Sequence, residues 1–143
     1  MQAIKRLALL VCALALFAVP ATANATITTK TIDYGIDSLW EENGASKIRL
    51  KRFGQMPMPI DLQLTFSDGS KEMHYIPLNL MFGQKPAEDP AVKREVHEEW
   101  RWTHPTYIVE FKRRLTDLKA AEIDPSKRMA DTERKNNLLE LAW

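Results

Sequence analysis

The stretch PIDLQLTFSDGSKEMHYI, Pro59 to Ile76, decides the fold. Ile60, Leu62, Leu64 and Phe66 alternate with Asp61, Gln63 and Thr65. A period of two is that of a β-strand with one buried and one wet face. Leu62, Leu64 and Phe66 are therefore expected in the core, and Asp61, Gln63 and Thr65 in solvent. Ser67-Asp68-Gly69-Ser70 follows as a turn, because Gly69 is free to take positive φ. The chain then returns antiparallel from Lys71 to Ile76, with Met73 and Tyr75 on one side.

The same pattern extends outward. Ile48 and Leu50 alternate with Lys47, Arg49 and Lys51, which predicts a second half-exposed strand. Gly54, Pro57 and Pro59 punctuate the passage between the two. Leu78 to Ala91 holds Gly83, Pro86 and Pro90 and reads as a long loop. Glu98 to Thr103 and Thr106 to Phe111 read as strands on either side of His104-Pro105, with Tyr107, Val109 and Phe111 sharing a core face. Leu118 to Ile123 is a further strand, and Asp124-Pro125-Ser126-Lys127 turns after it, with Asp124 capping its own backbone. The β-rich segment TITTKTIDY adds an edge strand. Leu138, Leu139, Leu141 and Trp143 suggest a short terminal helix with Asp131 as its N-cap. Short strands with turn signals between them give an all-β fold, an antiparallel β-sandwich of immunoglobulin-like architecture.

The first 25 residues stand apart. Lys5 and Arg6 precede the unbroken apolar run Leu7 to Val19; Pro20 ends it, and Ala21-Thr22-Ala23 and Ala23-Asn24-Ala25 both fit a cleavage site. These are the parts of a secretory signal peptide, too short in its apolar run to span a bilayer comfortably. The expected organisation is a signal peptide over 1–25, an N-terminal extension or edge strand over 26–45, the sandwich over 46–137 and a tail over 138–143. Removing residues 1–25 leaves 18 basic against 19 acidic residues and takes away Cys12, the only cysteine. A near-neutral chain has no electrostatic case for nucleic acid. Without a disulfide, about 118 residues must hold together by one hydrophobic core. An exported chain without cysteines points to a periplasmic or secreted location, with no stable membrane span once the signal is removed.

The segment VHEEWRWTHPTY, Val96 to Tyr107, is the one that resembles a site. A zinc-protease helix needs two histidines one helical turn apart with a glutamate between them. Here His97-Glu98 is followed by Arg101 where the second histidine would stand, and a guanidinium repels a cation. His104 lies seven residues on from His97 and before Pro105, which disfavours helix there. No catalytic, cofactor-binding or metal-binding residue is assigned, and no cofactor is expected. Ser67, Ser70 and Ser126 lie in turns, outside any nucleophile elbow. Trp100 and Trp102 share a face if this segment is a strand. Such a pair reads first as core and second as a binding surface for sugar rings or a partner. Lys112-Arg113-Arg114 reads as a solvated strand end.

Three stretches together resemble the β-sandwich that follows the catalytic domain in zinc aminopeptidases of the alanyl-aminopeptidase (gluzincin) family. They are RLKRFGQMPMPIDLQLTFSDGSKEMHYIPL, WRWTHPTY and AAEIDPSKRMADTERKNN. The cues fall in order at Met58-Pro59, Thr65-Phe66, Asp68-Gly69, Glu122-Ile123-Asp124-Pro125, Arg128, Asp131 and Asn136-Asn137. The resemblance covers roughly Leu50 to Asn137. It implies the domain and not the activity. The family's H-E-x-x-H helix and the G-x-M-E-N strand that binds the substrate amine have no match here, so no catalytic or metal position carries over. The expectation is a non-catalytic exported module acting through protein contacts, with a separate aminopeptidase catalytic chain or another envelope protein as partner. The alternatives are a fragment or subunit of a split metallo-aminopeptidase and a carbohydrate-binding module.

Overall fold

A computed structural model describes residues 29–79 and 81–142. The proposed signal peptide and Trp143 lie outside the described residues. Among the described residues eight strands run in chain order: β1 Tyr34–Glu42, β2 Ala45–Arg52, β3 Ile60–Phe66, β4 Lys71–Ile76, β5 Lys93–Val96, β6 Thr106–Phe111, β7 Leu118–Ile123 and β8 Leu138–Glu140. They form two sheets, one ordered β1-β2-β6 and the other β5-β4-β3-β7-β8. The first hairpin lies in one sheet and the second in the other; β6 then returns to the first sheet and β7 to the second. This exchange makes an all-β sandwich of immunoglobulin-like type.

The alternation in the sequence becomes the layer between the sheets. Ile60, Leu62, Leu64 and Phe66 of β3 are at most 1% exposed. Leu118, Ala121 and Ile123 of β7 join them, and Ile48, Leu50, Val109 and Phe111 form the opposing face. The rings of Phe66 and Phe111 lie 6.3 Å apart between the sheets. Tyr107, read as core, is only half-buried. Asp61, Gln63 and Thr65 are also half-buried, not fully wet. The long loop before β5 lies over this outer face, where Lys85 bridges Asp61 at 2.5 Å and Glu88 at 2.6 Å.

The turns follow their local chemistry. Gly69 takes φ 81°, and the Asp68 carboxylate accepts from the Ser70 amide at 2.9 Å. Arg113 donates to Asp68 at 2.8 Å and stacks over Phe66, so the basic run is partly tied down. The Ser70 hydroxyl, then the Arg113 guanidinium and the Ser70 amide, hold the Asp68 carboxyl far below the usual carboxylate range. After β7, Asp124 turns at φ 51° and its carboxylate accepts from the amides of Arg128 at 3.2 Å and Met129 at 2.8 Å. Asn43-Gly44, at φ 53° and 79°, closes the β1–β2 hairpin. That dipeptide is a strong hairpin signal. The edge strand itself is Tyr34–Glu42 and takes in only the last residue of TITTKTIDY; of the described residues before it, Ile32 makes an isolated bridge to Asp131.

Three expectations are corrected. Glu98 to Thr103 is not a strand: only Trp100 bridges, to Leu78. The segment crosses from the sheet of β5 to the sheet of β6 and cannot stay in register with either. The terminal helix is absent as well. A 3-10 turn at Arg134–Asn137 leads straight into β8, which pairs antiparallel with β7. Asp131 caps no such helix; its carboxylate accepts from the Tyr34 amide at 3.1 Å and the Glu133 amide at 2.8 Å. Finally, β5 pairs parallel to β4, so the sandwich is not wholly antiparallel.

Candidate functional site

β6 is one edge strand of its sheet, opposite β1, and β5 is one edge strand of the other, opposite β8. They lie on the same side of the sandwich, because the ring of His74 on β4 meets Phe111 of β6 edge-on at 6.5 Å. Residues 97–105 bridge this side. The His97 amide donates to Tyr75 O at 2.9 Å and the Trp100 amide to Pro77 O at 2.8 Å. Trp100 Nε1 donates to His104 O at 2.9 Å, and Tyr107 Oη to Glu98 O at 2.8 Å. Trp100 packs against Tyr34 and Tyr107, each with ring centroids 5.4 Å away. The two candidate tryptophans are therefore separated. Trp100 is a core residue at 3% exposure, whereas Trp102 stands 59% exposed, so they form no common stacking platform.

Under the bridging segment lies a pair of histidines. His74 Nδ1 and His97 Nε2 are 2.8 Å apart, a hydrogen bond in which one ring must donate and the other accept. His74 is fully buried, and its Nε2 has no hydrogen-bond partner among the described residues; Glu72 Oε2 stands 3.7 Å away. Burial, reinforced by His97, pushes His74 down to about 4 despite the carboxylates of Glu95 and Glu72. Burial also lowers His97. The gap between the rings holds one proton, because two imidazolium rings at this distance would repel without solvent between them. His104 is not part of the group; it is exposed and contacts Thr103 at 3.3 Å. Among the described residues, no three metal-ligating side chains converge. The pair was hidden in the sequence because its members are 23 residues apart and meet only through the parallel β4–β5 pairing. The one legible sign is that His74 lies opposite Leu62 and so faces inward.

Beside the pair, β6 presents an edge that no strand among the described residues pairs with. Val109 and Phe111 point inward, while Thr106, Ile108 and Glu110 are exposed. Ile108 is 49% exposed. A solvent-open groove of about 390 Å³ runs along the N-terminal half of the strand between Thr106-Tyr107-Ile108 and Glu98-Glu99-Trp100-Arg101, with His104 at its rim. The neighbouring outer face of β2 is basic, but its charges are largely matched: Lys47 meets Glu42 at 2.7 Å, and Arg49 meets Asp37 at 3.7 Å. Arg49 also lies over the Trp40 ring. Among the described residues no strand pairs with the outer side of β6, and Ile108 stands exposed on it.

Compared with models of protein families, with curated proteins and with solved structures, the chain matches none of them.

Proposed function

We propose that the chain is a non-catalytic, exported β-sandwich module that works by protein contact through the free edge of β6. It is related to the accessory sandwich of zinc aminopeptidases. The observation that carries the contact reading is the open edge of a six-residue strand, with Ile108 exposed on it and a groove alongside. An unpaired edge offers a row of main-chain donors and acceptors to an extended partner. The ordered sequence cues support the kinship, and Asp68-Gly69 and Asp124-Pro125 occupy the turns after β3 and β7.

The chemistry of the histidines supports the non-catalytic reading. A catalytic zinc needs three protein ligands and an open position. Here His74 and His97 spend a nitrogen each on one another. The Glu72 carboxylate stands 3.7 Å from the other nitrogen of the His74 ring, Nε2. The purified chain is expected to retain less than about a tenth of an equivalent of zinc and to hydrolyse no aminoacyl substrate. Arg101→His, which restores the motif's letters, should change neither result. Metal analysis and an aminopeptidase assay on the wild-type chain and His97→Ala provide the test. Stoichiometric zinc, with turnover lost in His97→Ala, would favour the split-enzyme alternative and overturn this reading.

A further inference from the structure

We infer that the partner of the β6 edge is a second copy of this chain, joined about a two-fold axis through Ile108. The inference rests on the reading of β6 as a docking edge and names its occupant.

The strand is self-complementary. Thr106, Ile108 and Glu110 are its exposed residues, with Ile108 at the centre. Antiparallel pairing of two copies about Ile108 sets Ile108 against Ile108 and Thr106 against Glu110, twice over. Residues directly opposite on one face of an antiparallel pair approach within about 4.5–5.5 Å. The two isoleucines then cover each other, and each Glu110 carboxylate meets a Thr106 hydroxyl instead of another carboxylate. On the other face, Tyr107 lies opposite Val109. A register shifted to centre on Val109 would set Ile108 against Glu110 and lose this match.

The groove adds a second line of complementarity. It flanks only the N-terminal half of β6, which is where the C-terminal half of an antiparallel copy would lie. The incoming half carries Glu110 and then Lys112. Arg101 and His104 on the groove wall suit the carboxylate, and Glu98 and Glu99 suit the ammonium. Among the described residues Glu110 is held by Lys47 alone, at 3.9 Å, and its side chain is 62% exposed, so it can engage a partner. A two-fold interface of this kind closes on itself, so it stops at a dimer and builds no filament. It would join two three-stranded sheets into one of six strands, β1-β2-β6 and its symmetry copy.

Cysteine cross-linking tests the register. Across an antiparallel pair, directly opposite residues satisfy disulfide geometry, about 4.4–6.8 Å between Cα atoms. In a Cys12→Ser background, Ile108→Cys should oxidise rapidly to a covalent dimer. Glu110→Cys should do so at least about tenfold more slowly, since its opposite residue is Thr106. A mixture of Thr106→Cys and Glu110→Cys chains should again cross-link readily. By sedimentation equilibrium the parent chain should dimerise reversibly. Ile108→Lys should weaken that dimer by roughly tenfold to a hundredfold, because it sets like charges face to face.

Equal oxidation rates for Ile108→Cys and Glu110→Cys, or a parent chain that stays monomeric at about 100 μM, would overturn the second-copy inference. Photo-crosslinking from position 108 then separates the two claims. Adducts with a different protein leave β6 a docking edge with another occupant. No adduct of any kind removes both.

Discussion

Leu64→Ala is expected to lower the stability of the sandwich by about 2–5 kcal/mol, the cost of deleting a fully buried leucine and leaving a partly collapsed cavity. Leu64 has no solvent exposure and sits mid-strand on the central strand of the five-stranded sheet, paired with Glu72 on β4 and Ala121 on β7. Its neighbours are held by strand pairing on both sides, so the backbone cannot close the gap. A domain of this kind is stable by only about 5–15 kcal/mol, and the loss is a large share of that. Urea unfolding of the variant should show a lowered midpoint with an unchanged slope. A loss below about 0.5 kcal/mol, the range of surface changes, would mean that the face between the sheets has been misassigned.

Acid is expected to weaken the fold earlier than carboxylate titration alone would. The ordinary histidine value is 6.5, and burial holds His74 at about 4. Between those values the unfolded chain binds a proton that the folded chain refuses. Stability is therefore complete above about pH 6.5, falls as the pH drops through this window, and levels off below about pH 4. Linkage converts the difference into about 3 kcal/mol. The groups facing His74 do not reverse the sign. Glu72 on β4 and Glu95 on β5 favour its protonation, Lys93 on β5 and His97 oppose it, and β6 presents the ring of Phe111. Unfolding free energy measured from pH 7.5 down to 4 should fall steadily in the parent chain. In His74→Leu, which places an apolar side chain beside Leu62 and Phe111, the curve over this window should be much shallower, and what slope remains belongs to His97, which burial also lowers. An equally steep curve in the variant would assign the acid response to other groups.

Both effects arise where β4 meets its neighbours, and only part of that region was legible in the sequence. β3, β4 and their turn could be read because local rules agree there: a period of two, an Asp-Gly turn, and a return of matching length. β2, β6 and β7 followed for the same reason. β5 could not be read, since Lys93-Arg94-Glu95-Val96 is mostly charged and forms a strand only by parallel pairing across a loop of 16 residues, Pro77 to Val92. Arg94 is held there by non-local contacts, over the Tyr75 ring and against Lys85 O at 2.6 Å. The reverse error befell Glu98 to Thr103, where two tryptophans promised a strand in a segment that must change sheets. The apolar C-terminus suggested a helix, but β7 lacked a neighbour and took it as a strand. The histidine pair depends on β5 and was hidden with it. The free edge of β6 was equally invisible, because exposure of an edge is a property of strand order, which no local pattern encodes.

The central claim, that this sandwich acts by contact along β6, is tested most directly by photo-crosslinking from Ile108 in the intact cell, with Lys119 on the exposed face of β7 as the control position. Position 108 should give a discrete adduct, and position 119 should give none under the same illumination. Adding Glu110→Lys should diminish the adduct while the unfolding midpoint stays within the range of a surface change. Identical, diffuse labelling from both positions, or none from position 108, would contradict the account.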